Sequence, residues 1–188
     1  MEAKKTDVIP WDYHGSANRE DANNKHRLKI YRKFIGRNHL ECYSLDIGQS
    51  NYIGRCLGVQ DNTLPANFNY NIWVKGTNYL AITCFEVINH VMNPLQFMEQ
   101  IHSLLRDGGV CYLSAPKLWL VPWHHCEYNF VNYKPSKLRV LFEYAGFKAV
   151  RCETHNPWPW WFMFCGFRPF FRTLLNRIQV WELTKKSS

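Results

Sequence analysis

A glycine turn behind a short apolar stretch, and three histidines that follow other such stretches, are where this sequence is equipped for chemistry. The turn reads Leu45-Asp46-Ile47-Gly48-Gln49-Ser50-Asn51-Tyr52-Ile53-Gly54. Glycine directly after a strand lets backbone approach a ligand closely, and the next helix offers unpaired N–H groups. The dinucleotide pattern G-x-G-x-x-G is not met, because Ser50 and Ile53 stand where its second and third glycines belong. Histidine titrates near neutral pH and can take or give a proton during a reaction. His90 and the pair His124-His125 are the candidates, with a structural loop contact as the alternative role for each. Glu86 and His90 together offer two metal ligands without further carboxylates, so no metal is expected.

These residues need a scaffold, and the chain supplies the pattern of one. Leu28, Tyr31, Phe34 and Ile35 recur at helical spacing between Asp21 and Gly36. Cys42 to Ile47 and Leu80 to Phe85 read as short buried strands. Asn93, Pro94 and Gln96 form a helix start with its capping box, and Gly108-Gly109 is expected to end that helix. Val110 to Ser114 is the next strand, stopped by Pro116. A helix from Pro135 to Gly146 precedes two alternating strands, Phe147 to Thr154 and Ile178 to Thr184. Strands alternating with helices predict a largely parallel sheet covered on both faces. The short connection between the last two strands predicts an antiparallel pair. Ligands of such sheets bind beyond the carboxyl ends of the strands, where strand order reverses.

Taken in order, five segments resemble class I S-adenosylmethionine-dependent methyltransferases of the small-molecule branch. Leu45-Asp46-Ile47-Gly48 resembles their first motif, and Cys84-Phe85-Glu86-Val87-Ile88-Asn89-His90-Val91-Met92-Asn93-Pro94 the segment after their fourth strand. Leu104 to Gly109, Ser114-Ala115-Pro116, and the stretch from Leu138 to Phe147 are similar to three later ones. The match runs from about Ile30 to Thr154. Ser50 and Tyr52 stand at two glycine places of the first motif, Leu80 at an aspartate and Asn89 at a glutamate.

The resemblance implies a doubly wound, Rossmann-like α/β sheet of seven mostly parallel strands with a terminal antiparallel strand. It implies S-adenosylmethionine as cofactor, with Asp46 and Gly48 on its methionine side, Ser50 also binding it, Asp61 on its ribose hydroxyls, and Phe85 and Glu86 near the sulfonium. His90, His124 and His125 would supply a base where the acceptor must lose a proton. Methyl transfer to a small molecule, lipid or glycan precursor is the expected activity. The alternatives are a non-catalytic binding or assembly module and, on charge alone, a nucleic-acid methyltransferase.

The 188 residues suit one domain, 21–188, behind a polar arm of residues 1–20. No export signal and no apolar run of about 20 residues is seen. The seven cysteines form no C-x-x-C pair, so reduced thiols and a cytoplasmic location are expected. The net charge of +8 favours anionic partners unless it is spread over solvated faces. Residues 155–177 form an aromatic-rich cap or insertion, with Arg168, Arg172 and Arg177 interleaved. Five roles suit it: a cap over the sheet edge, a peripheral membrane contact, a wall for the acceptor, a base-stacking platform, or a dimer contact through Trp158 to Phe171.

Overall fold

The computed structural model describes residues 20–36, 40, 43–48, 51–63, 72, 74, 76–117 and 133–186, the side chains of Arg168 and Arg172 excepted. Six strands form one sheet: β1 (Ser44–Asp46), β2 (Asp61–Asn62), β3 (Tyr79–Phe85), β4 (Leu105–Lys117), β5 (Phe147–His155) and β6 (Arg177–Lys185). Their spatial order is β2-β1-β3-β4-β6-β5. β2, β1, β3 and β4 pair in parallel, and β6 runs antiparallel to both β4 and β5. The antiparallel strand, last along the chain, therefore sits inside the sheet rather than at its margin.

Seven strands are the expectation; six occur among the described residues. Residues 63–78 connect β2 to β3, and most of them lie outside the described residues. A correction concerns β4. It starts at Leu105, so Gly108-Gly109 lies within the strand, and the ladder to β3 slips between Tyr79 and Ala81 beside it. Pro116 does not stop β4 either: it lies beyond the last pair with β3, Phe85 with Ser114, and faces Ile178 of β6.

Helices cover both faces. On one, α1 (Ala22–Ile35) buries Leu28, Tyr31, Phe34 and Ile35, and α2 (Tyr52–Leu57) packs beside it. Asp21 caps α1 by accepting from the Asn24 N–H at 2.7 Å. Tyr31, Phe34 and Ile35 meet Ala81, Tyr112, Ile178 and Val180 of the sheet. On the other face, α3 (Pro94–Leu104) and α4 (Pro135–Tyr144) bury Phe97, Met98, Ile101, Leu138 and Phe142 against Leu45, Ile82, Cys111 and Leu113. Asn93 caps α3 and exchanges hydrogen bonds with Gln96, which receives the Asn93 side-chain amide on its Oε1 at 3.1 Å. Alternation along β1 thus divides labour: Leu45 enters the α3–α4 core, while Ser44 and Asp46 face the α1–α2 side. Between β5 and β6 the chain makes a 3-10 turn (Trp160–Cys165) and α5 (Phe167–Leu175).

Candidate functional site

β1, β3, β4 and β5 point the same way, so Asp46, Phe85, Lys117 and His155 end their strands on one side of the molecule. The chain leaves β1 for β2 on one flank and returns as β3 on the other, which makes the end of β1 the point where strand order reverses.

The turn there is built around Asp46, which is only 3% exposed. Its Oδ1 accepts from Thr83 Oγ1 at 2.6 Å, and its Oδ2 from Asn51 Nδ2 at 2.9 Å. Asn51 in turn caps α2, its Oδ1 accepting from the Gly54 N–H at 2.8 Å. One carboxylate therefore joins β1, β3 and the start of α2. Burial raises its pKa to about 6, against the pull of the Thr83 and Asn51 hydrogen bonds. A Cβ at Gly54 would stand 2.8 Å from Asp46 Oδ2, so only glycine lets α2 come this close.

Gly48 has φ +149°, a conformation that disfavours side chains, and among the described residues a Cβ built there meets nothing within 4 Å. Among those residues the space beside the turn is open. Thr63 holds it in shape: its hydroxyl donates to Gly48 O at 3.0 Å and lies 2.9 Å from the Gly48 N–H, while its own N–H bonds Asp46 O. Tyr52, placed at a family glycine position, opens α2, and burial raises its pKa, with Cys56 one turn along α2 and Glu20 adding to it. Asp61 opens β2 opposite Leu45 and accepts from Tyr79 Oη at 3.2 Å; burial, with Asp61 adding to it, drives the Tyr79 pKa to about 12.

Past the end of β3, Glu86 has φ +58°, in the left-handed region where a non-glycine residue carries strain. Two contacts hold it there. Its N–H is shared between Ser114 O and Oγ at 3.0 and 3.1 Å, and its Oε2 takes a 2.7 Å bond from Arg27 of α1. Tyr31 stacks on Phe85 with ring centroids 4.0 Å apart, and its hydroxyl reaches Ser114 Oγ at 3.1 Å. Burial raises the Tyr31 pKa, keeping that hydroxyl neutral. His90 ends the 3-10 turn Ile88–His90, and its Nε2 meets Asn89 Nδ2 at 3.1 Å.

Of the residues singled out in the sequence, Asp46, Gly48, Phe85, Glu86 and His90 lie at or beyond the carboxyl ends of β1 and β3. Asp61 is not gathered with them: it opens β2, and its carboxylate is held by Tyr79, the first residue of β3. Ser50, His124 and His125 lie outside the described residues. No group of three or more metal-ligating side chains occurs among the described residues. Sequence reading missed Asn51, Gly54, Thr63, Thr83 and Arg27. Asn51 followed by Gly54 had the spacing of a helix cap; nothing in the sequence marked the other three.

A family model described as "Methyltransferase domain" matches residues 27–152. Ubiquinone biosynthesis O-methyltransferases of Psychrobacter cryohalolentis and Psychrobacter arcticus are each 26% identical over 110 residues, covering 53% of this chain and 43% of theirs. The chain thus matches less than half the length of these curated relatives. Among solved structures, a chain of the complex between the Haloferax volcanii Trm112 methyltransferase activator and a methyltransferase superposes with TM-score 0.66 at 14% identity, covering 91% of this chain and 95% of that one. The Burkholderia thailandensis 1,6-didemethyltoxoflavin-N1-methyltransferase, with 1,6-didemethyltoxoflavin and S-adenosylhomocysteine bound, gives 0.58 at 13% identity, covering 94% and 84%. At these identities the likeness is one of fold.

Proposed function

This chain belongs to the methyltransferase-domain family, of the class I S-adenosylmethionine-dependent kind, and from that premise we propose that it methylates a hydroxyl of a small, largely apolar acceptor. The observation that carries the reading is the open turn at Gly48, shaped by Asp46, Asn51, Gly54 and Thr63 at the reversal of strand order. The cofactor fits there because the space beside Gly48 is clear of side chains among the described residues. S-adenosylmethionine, when bound, supplies an electrophilic methyl carbon.

The protein's part is placement. Alignment of acceptor and methyl supplies most of the acceleration in such transfers, so a rigid turn matters more than covalent help. In this reading Gly48 gives the backbone approach, Ser50 borders the methionine side, and Asp61 serves the ribose hydroxyls. Phe85, held flat by Tyr31, and Glu86, neutralised by Arg27, form the floor beneath the reacting centre. His90 takes the acceptor proton: a hydroxyl that displaces the Asn89 amide from Nε2 meets the ring's lone pair. His124 and His125 stand as further candidates for that role. The names of the two Psychrobacter relatives support oxygen as the acceptor atom and a small molecule as its bearer.

Thermal melting with S-adenosylhomocysteine tests the premise. Ligand at 100 times its Kd stabilises by about 2.7 kcal/mol, which for a domain of this size raises Tm by roughly 5–10 °C. An unchanged Tm at millimolar ligand rejects the cradle. Labelled-methyl transfer to hydroxylated aromatic and isoprenoid acceptors, compared with DNA and RNA, then tests the acceptor. Transfer to nucleic acid alone rejects the small-molecule reading.

A further inference from the structure

An amphipathic helix normally turns its apolar stripe inward. α5 does the reverse. Phe167, Phe170 and Leu174 recur at i, i+3 and i+7, one helical stripe, and all three are exposed, Phe167 by 73%. The 3-10 turn before it buries none of its residues; Trp160 is 72% and Phe164 76% exposed, and Trp161 is exposed beside them. What faces the protein instead is polar. Thr173 is buried and donates to Pro169 O, while its carbonyl accepts from Asn156 Nδ2 at 2.7 Å and Arg177 Nη1 at 3.1 Å.

We infer that the segment from Trp160 to Leu174 docks the protein on a bilayer containing anionic phospholipid. Three observations select that occupant. Exposed tryptophan rings just before a short amphipathic helix, and exposed phenylalanine rings on it, are the chemistry of the headgroup–acyl boundary. Between Glu153 and Glu182 the chain carries no Asp or Glu, and the sequence of α5 includes Arg168 and Arg172, in a protein of net charge +8; each arginine near an anionic leaflet strengthens binding roughly fivefold. The segment also leaves the carboxyl end of β5, the same end of the sheet as Gly48 and Glu86, and it is bolted to α1 there. His26 Nε2 meets Asn156 O at 3.1 Å, and Arg27, which holds Glu86, lies 5.8 Å from the centre of the Trp158 ring. A bilayer on this face lies at the rim of the site, so acceptors dissolved in the membrane reach it without crossing water. The docking itself stands whether or not the acceptor assigned above is correct.

The test is sedimentation of the full chain with vesicles of phosphatidylcholine alone and of phosphatidylcholine mixed equally with phosphatidylglycerol. Docking predicts binding stronger by about tenfold or more to the mixed vesicles, weakened several-fold by added salt. The variant Trp160→Ala/Phe164→Ala/Phe167→Ala removes only exposed rings and should lose about tenfold or more in binding, with Tm and the S-adenosylhomocysteine response unchanged. No association with mixed vesicles, or equal association of the variant, overturns the inference. So does a dimer that the same variant dissociates in the absence of any vesicle binding, because the patch would then be covered by a second copy. Should the variant fail to fold, brominated acyl chains decide on the unmodified protein: quenched tryptophan emission supports docking, and unquenched emission rejects it.

Discussion

Replacing Asp46 with Asn isolates what the buried carboxylate costs. The folded protein prefers the protonated form, because burial raises the pKa from 3.8 to about 6. A raised folded pKa means that Asp46 contributes its full stability below about pH 4 and loses it as pH rises through 6. The difference of about two units corresponds to about 3 kcal/mol. An asparagine side chain here stands in for the protonated acid: with its oxygen toward Asn51 and its amide toward Thr83 Oγ1, both hydrogen bonds survive. Asp46→Asn should therefore match the parent near pH 4 and exceed it by about 3 kcal/mol at about pH 7.5, a Tm gain of roughly 6–12 °C. Urea unfolding at half-unit steps across that range reads this directly. The difference between the two proteins is the quantity to follow, because burial lowers the pKa of His102, with Lys185 adding to it, and that group titrates alike in both. Equal pH dependence of the two proteins, within about 0.5 kcal/mol, would refute the reasoning. The same variant should lose most of its S-adenosylhomocysteine response if the charge of Asp46 serves the cofactor.

Two further outcomes follow from the same neighbourhood. Gly54→Ala improves helix propensity by up to about 1 kcal/mol, but its methyl meets an Asp46 oxygen tied down on both sides; urea unfolding should show a net loss of about 1–2 kcal/mol, with a reduced ligand response. Arg27→Met leaves Glu86, whose side chain is 27% exposed, without its cation and should cost about 2 kcal/mol, most of which Arg27→Met/Glu86→Leu should restore; a double variant no more stable than the single one would contradict the pairing.

The scaffold was legible because its signals are local. The stripe of Leu28, Tyr31, Phe34 and Ile35, the Asn93-Pro94 cap, and the apolar runs Leu80 to Phe85 and Phe147 to Thr154 each report their own element, and all four occur where expected. Gly108-Gly109 misled because glycine ends helices more often than it lies in strands, whereas here Gly109 sits where a Cβ would press on Tyr79 O. The site was legible only in part. Asp46, Gly48 and Glu86 could be found from the order of the family-like segments, but their partners are set by register. Thr83 faces Asp46 because β3 aligns those two residues, and Arg27 reaches Glu86 from a helix 59 positions earlier. Pairings of that kind leave no trace in spacing. Nor did the aromatic segment announce α5, whose repeat is crowded out by the surrounding rings.

The position of β6 has a consequence for how the molecule assembles. β5 forms before it in the chain, yet has no neighbour in the sheet until β6 fills the gap beside β4. Growth of the sheet cannot simply follow synthesis: the outermost strand waits for the strand that comes after it, and that late closure joins segments far apart in sequence, a slow kind of contact to make. A nascent chain stalled before Arg177 would hold β5 and the outer edge of β4 open, two adhesive borders at once. Cells making this protein have reason to keep the interval between those two strands brief.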